Sequence, residues 1–305
     1  MVIFRGFDTD RDIPDLSDKV IFLTGGTGGV GKTAIQHLAK HNPSRIYFTG
    51  RNHSAAEALI SSCPDPTRLT FIPMDQTSLS SIRAAADRFL AEAHRLDILI
   101  ANAGIMAVPP GLTEDGYEVQ FGTNHVGNAA LALRVLPLML RTAERGADVR
   151  FVSVTSLGYA MSSGVELSGV KTTQEDMRLG TLGRYGQSKL ANILFARELA
   201  RRYPSITSVV VHPGVVSTSL VSGLGWWHRL LVYVTNPRLL TPEEGGVNTV
   251  WAATGRDVRD RLKDGGVALF EPVGKANAGR ETCFDEEAMR KLWEWTEDEV
   301  GVKAP

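Results

Sequence analysis

Cysteine is nearly absent: 305 residues contain two, Cys63 and Cys283, without paired spacing. That excludes a disulfide scaffold or a cysteine-based zinc site and suits a reducing compartment; no metal is expected. Net charge is nearly absent too, with 33 basic and 34 acidic residues balancing at −1. Such a surface gives no reason to expect nucleic acid or an anionic membrane as partner. Long apolar runs are missing. The most apolar late stretch, Leu220 to Val234, is broken by His228 and Arg229 and is too short to span a bilayer. Residues 217–235 read as a flexible apolar lid, with contact to a membrane surface as the alternative. No signal-peptide pattern is visible, because Arg5, Asp8, Asp10, Arg11 and Asp12 precede any apolar run. A soluble cytoplasmic protein is expected, with no integral membrane segment.

What is present is ordinary for a globular chain, at 43% hydrophobic and 22% charged residues. The length suffices for one α/β domain with a substantial core. Short apolar runs recur at Val20–Leu23, Ile46–Phe48, Leu69–Ile72, Ile98–Ile100, Phe151–Val154 and Val209–Val211. Helical patterns lie near 31–41, 54–61, 78–94, 114–142, 183–203 and 242–253, with a late strand at Val267–Phe270 and a charged terminal helix. This alternation predicts a doubly wound α/β fold, a parallel sheet of about seven strands flanked by helices. Residues 1–18 read as a polar arm, 19–305 as a single domain, and 217–241 as a C-terminal substrate-loop segment.

The stretch Val20 to Lys40 reads as buried strand, glycine loop and helix. Five glycines in the seven residues Gly25 to Gly31 allow close approach to an anion at the following helix start. Two patterns fit. Gly26 to Thr33 formally matches the phosphate loop G-x-x-x-x-G-K-[ST] of nucleoside triphosphatases. Thr24 to Gly31 also reads T-G-x-x-x-G-x-G, so Gly25, Thr27, Gly29, Val30 and Gly31 are candidates to hold a dinucleotide. The triphosphatase reading needs an acidic strand end for magnesium. Asn102 and Thr155 stand at the relevant strand ends, and Asp75 is the only stand-in.

In such a sheet, ligands sit beyond the carboxyl ends of the strands. Arg51 and Asn52 follow the second strand, about twenty residues past Gly31, where an arginine pairs with a 2′-phosphate and so favours NADP over NAD. Asp75 and Gln76 follow the third strand, where Ser78 is placed to cap the next helix. Asn102, Ala103 and Gly104 offer small residues beside a flat ligand. His212 reads as a buried, hydrogen-bonded histidine, followed by Pro213 and Gly214.

Tyr185 and Lys189 stand at i and i+4, on one helix face. A cation about 4 Å from the phenol, at an effective dielectric near 20, favours phenolate by roughly 4 kcal/mol. That is about three pKa units, enough to bring a phenol of ordinary pKa about 10 near working pH.

Taken with Thr24-Gly25…Gly31, Asp75, Asn102-Ala103-Gly104, Asn124, Ser156 and Pro213–Thr218, all in order, the chain resembles the classical short-chain dehydrogenase/reductase family over essentially its full length. The run Tyr185–Asn192 and the helix start Thr241–Gly245 look like its retinol-dehydrogenase-like branch, which includes fungal reductases of secondary metabolism. The resemblance implies a Rossmann-type fold and an NADP(H)-dependent ketoreductase. Tyr185 would be general acid, Ser156 would hold the substrate oxygen, and Lys189 would depress the phenol and hold the ribose. Asn124 would anchor a relay water. Asp75 would meet the adenine, Asn102 would line its ribose, and Val216 and Thr218 would contact the carboxamide. Ser156 and Tyr185 are 29 positions apart, longer than in compact members. Tyr159 and Met161 in that insert, with Trp226 and Trp227, are expected to line a pocket for a bulky apolar carbonyl or alcohol, or to close a subunit contact. A homodimer is left open. The remaining alternative is a catalytically silent NADP sensor or partner-binding module.

Overall fold

In the computed structural model, which describes residues 3–217, 239–262 and 266–305, the short apolar runs become neighbouring strands. The strands are β1 (Ile3–Phe4), β2 (Phe7–Asp8), β3 (Val20–Leu23), β4 (Arg45–Gly50), β5 (Leu69–Pro73), β6 (Ile98–Ala101), β7 (Val149–Val154), β8 (Ile206–Val211), β9 (Leu269–Glu271) and β10 (Lys275–Asn277). Eight of them form one sheet in the order β10-β9-β8-β7-β6-β3-β4-β5. Seven run parallel, and β10 adds an antiparallel edge. The expected doubly wound sheet is therefore present. β10 carries Lys-Ala-Asn and is mostly exposed, so it has no apolar signal to find.

The helices are α1 (Gly29–Leu38), α2 (His53–Ser62), α3 (Leu79–Glu92), α4 (Val119–Phe121), α5 (Gly127–Glu144), α6 (Thr181–Arg202), α7 (Pro242–Thr254), α8 (Val258–Arg261) and α9 (Glu286–Val300). Buried strands alternate between two cores. Phe22, Leu99 and Phe151 face the side covered by α3, α5, α6 and α9. Ile21, Ile100 and Val152 face α1, α2 and α7. Among the described residues no helix is long and apolar enough to cross a membrane.

Local chemistry sets several boundaries. Ser78 caps α3 as expected, accepting from Ser81 N. Thr241 and Glu244 form a reciprocal capping box with Pro242 at the start of α7. The pattern near 114–142 starts later than its periodicity suggests. Thr113 and Tyr117 close a turn through Gly116 at φ +82°, and a five-residue π turn, Gly122–Val126, joins α4 to α5. The 1–18 arm is anchored: β1 and β2 pair as a hairpin, Phe4 packs with Val216, Leu240 and Val247, and Ile13 and Leu16 enter the α1-side core.

The terminal helix buries Met289, Leu292, Trp293 and Thr296. Trp293 is fully buried and stacks on Phe195 at 4.8 Å and 14°. Trp293→Ala is expected to lower unfolding free energy by about 3–5 kcal/mol, read from the urea midpoint; an unchanged midpoint would show that α9 does not seal this core.

Candidate active site

The sheet order reverses between β3 and β6, and a cleft of about 760 Å³ opens beyond their carboxyl ends. Its floor begins with the glycine loop. Gly25 has φ +70°, and a Cβ on Gly31 would stand 2.3 Å from the Gly25 carbonyl oxygen, so the loop closes only with glycine at both positions. Gly28 precedes α1 without a side-chain cap, leaving first-turn N–H groups for an anion.

A hydroxyl holds this loop to the neighbouring strand. Thr24, 1% exposed, accepts from the N–H groups of Asn102 and Ala103, both at 2.9 Å, and donates to Asn128 Oδ1 at 2.7 Å. Asn128 Nδ2 donates to the carbonyls of Ala103 and Asn124, each at 2.9 Å. Asn102 turns its amide inward to the Thr24 carbonyl at 2.8 Å. Asn102 thus braces the cleft wall as well as lining it. Asn128 was missed in the sequence, because one asparagine on a helix carries no motif.

The four expected catalytic positions meet at one end. Ser156 closes β7 and accepts from Gly158 N at 3.1 Å. A Cβ on Gly158 would fall 2.9 Å from the Tyr185 ring and 3.3 Å from Ser156 Oγ, so the two side chains face each other across it. Lys189 donates to the Val154 carbonyl at 3.2 Å, with Nζ 5.7 Å from the Tyr185 ring centroid. Asn124, in the π turn, accepts from Ile105 N at 2.7 Å and donates to Ser188 Oγ at 2.8 Å. A Cβ on Gly104 would meet both Asn124 Oδ1 at 3.0 Å and Lys189 Nζ at 3.3 Å.

The electrostatics differ from the sequence expectation. Burial pushes the Tyr185 phenol up to about 12, opposed by the hydrogen bond from Ser156. Burial draws Lys189 down to about 8. Both groups are dehydrated, and dehydration penalises the charged form of each; in the protein alone it outweighs the pull of ammonium on phenol.

Other expected residues divide. Thr27, Gly29, Val30, Asp75, Gln76, Pro213, Gly214, Val216 and Met161 line the cleft, with Arg51 exposed at its rim. Asp75 Oδ1 accepts from Thr77 N and Oγ1. Asn52 does not line the cleft; its side chain caps α2 through Ala55 N at 2.9 Å. Tyr159 is likewise absent from the lining, buried in the core against Cys283. Thr218, Trp226 and Trp227 lie outside the described residues. His212 is buried as expected, but Nδ1 has no hydrogen-bond partner among the described residues, and burial lowers it to about 4. Ile105, Met106, Leu157 and Leu182 complete the apolar wall, brought there from the loop after β6, the turn after β7 and the first turn of α6.

The phosphate-loop reading fails on Thr33. Its hydroxyl donates to the Pro242 carbonyl at 2.9 Å, against α7 rather than into the cleft, and Lys32 is exposed outside it. A short-chain dehydrogenase family model matches residues 19–165. A short-chain dehydrogenase/reductase of Aspergillus calidoustus, drtF, is 34% identical, over 94% of this chain and 95% of its own. The chain belongs to the short-chain dehydrogenase/reductase family. A human polyprenol dehydrogenase is 30% identical over 98% of this chain and 90% of its own. A solved structure of an uncharacterised Mycobacterium paratuberculosis protein superposes with a TM-score of 0.74 at 26% identity, covering 98% and 99% of the two chains.

As an oxidoreductase of this family the protein uses a nicotinamide cofactor, and the cleft fits one. The loop geometry at Gly25 and Gly31 admits a pyrophosphate, and both polar atoms of the Gln76 amide are buried without a partner among the described residues, a donor and acceptor available to a heterocycle.

Thr24→Val is expected to lose about 1–3 kcal/mol for each buried group left unpaired and to weaken cofactor binding. Thr24→Ser, which keeps the hydroxyl, should recover most of both. Equal stability of wild type and valine variant in urea would remove Thr24 as the brace.

Proposed function

We propose that this enzyme is an NADP(H)-dependent ketoreductase acting on a bulky, largely apolar carbonyl compound. The observation that carries the reading is the convergence of Ser156, Tyr185 and Lys189 on a cleft end walled by Ile105, Met106, Leu157, Met161 and Leu182. When bound, a nicotinamide supplies the hydride or accepts it. Negative charge then develops on the substrate oxygen, where the Ser156 hydroxyl donates a hydrogen bond and Tyr185 donates its proton. A phenol held near 12 stays protonated at ordinary pH, and an alcohol resembles water, whose pKa is about 15.7. Proton transfer to the alkoxide is therefore downhill. Lys189, about 8, remains largely cationic at neutral pH and holds the nicotinamide ribose. With Asn124 beside it across Gly104, it leads the replacement proton toward Tyr185.

Arg51 at the rim supports NADP, since a guanidinium pairs with a 2′-phosphate. Among the described residues the apolar wall carries no cation for an acidic substrate, and resemblance to a polyprenol dehydrogenase agrees with a hydrophobic one.

Incubation with NADPH and a panel of aromatic and aliphatic ketones, followed by absorbance loss, tests the activity. Tyr185→Phe is expected to abolish turnover while NADPH affinity stays near wild type; substantial residual turnover would refute the proton-donor role. Arg51→Asp should weaken NADPH binding by about tenfold or more, the equivalent of 1.4 kcal/mol, and leave NADH nearly unaffected. Equal losses for the two cofactors would cancel the preference.

A further inference from the structure

The catalytic helix is joined to the segment carrying Asn124 by a row of buried polar pairs where helix packing is ordinarily apolar. Glu118 Oε1 lies 3.2 Å from Arg184 Nε, an ion pair without hydrogen-bond alignment, with side chains 0% and 2% exposed. Gln120 Nε2 donates to the Thr181 carbonyl at 3.0 Å, and Asn124 Nδ2 donates to Ser188 Oγ at 2.8 Å. Thr181, Arg184 and Ser188 follow one helical stripe. Tyr185 and Lys189 occupy the adjacent stripe, about 100° around the axis. The same pairs reach outward. Glu118 Oε2 accepts from Phe121 N at 2.7 Å, Gln120 Oε1 accepts from Ala107 N at 2.7 Å, and Arg184 Nη1 donates to the Gln174 carbonyl at 3.2 Å. Loop 105–110 and the insert between Ser156 and Tyr185 are thus tied to one seam.

Cohesion alone does not call for charges here, because a well-packed apolar pair replaces a buried ion pair without loss or with gain. The hydrogen bonds of Gln120, Asn124, Glu118 Oε2 and Arg184 Nη1 do what apolar contacts do not: they allow one register and one rotation. We propose that this seam sets the rotation of α6 about its axis, with Glu118 and Arg184 as positioning residues for the Tyr185 phenol. The inference rests on the reading of Tyr185 as proton donor.

The test uses the full chain with NADPH and a ketone from the panel above. Glu118→Gln keeps the acceptor for Phe121 N and removes the charge. Arg184→Lys keeps the charge and loses the planar fork. Each is expected to lower kcat by roughly 10- to 100-fold through misplacement of the phenol. NADPH affinity per folded site, from fluorescence titration, should stay unchanged. The double variant Glu118→Gln with Arg184→Met removes both charges and should regain thermal stability relative to the single changes, yet keep the low kcat. Recovery of kcat along with stability, or wild-type kcat in folded single variants, would show the pair to be structural only and overturn the proposal. A wild-type chain that reduces no ketone overturns the reading of Tyr185 and the seam with it; wild-type turnover with unaltered variants overturns the seam alone.

Discussion

A single buried hydroxyl joins the two strands between which the cleft opens. Thr24 accepts hydrogen bonds from the N–H groups of Asn102 and Ala103 and donates one to Asn128 Oδ1. Strands that diverge at a reversal of sheet order leave backbone groups unpaired at their ends, and burial makes such groups expensive. One side chain with a donor and two acceptor sites satisfies two of them and the Asn128 side chain besides. The glycine loop, the Ala103 wall and the π turn at Asn124 are thereby fixed relative to one another. Each cofactor-facing feature of the cleft starts from that junction.

At the opposite end of the cleft the controlling term is dehydration. It holds Tyr185 protonated and loosens the proton on Lys189, so two groups of nearly equal ordinary proton affinity are driven apart. A cation arriving near the phenol would lower it from there, and an alkoxide would take its proton. The two side chains are therefore not matched to neutral pH in advance. The surrounding polar seam works on geometry, the burial on protonation, and both act on the same phenol.

Much of the fold is legible in the chain. The buried strands Val20–Leu23 and Val209–Val211 are short apolar runs between turn residues, and α9 shows its core face by spacing alone. Boundaries that depend on a neighbour are less visible. The helix expected from 114 starts at Val119, because Gly116 and the Thr113–Tyr117 turn take the preceding residues. β10 pairs through its backbone and one polar side-chain bond, Asn277 Nδ2 to Glu271 Oε1, and so shows no apolar pattern. In the site, the glycine loop, Ser156, Tyr185 and Lys189 are readable because their chemistry requires those residue types at those spacings. Asn52 and Tyr159 looked equally suitable, yet one caps a helix and the other fills the core. Local position does not say which way a side chain points.

The sequence by itself determined the layered α/β plan, the anion-binding loop and the phenol–ammonium pair, since each is written in contacts within a few residues or in the period of an element. Tertiary structure decided that Thr33 faces α7, that Asn128 serves Thr24 from 104 positions away, that Glu118 meets Arg184, and that burial outweighs the local cation at Tyr185. Those outcomes depend on which distant groups share a small dehydrated volume, a quantity created by packing and absent from any local stretch of chain.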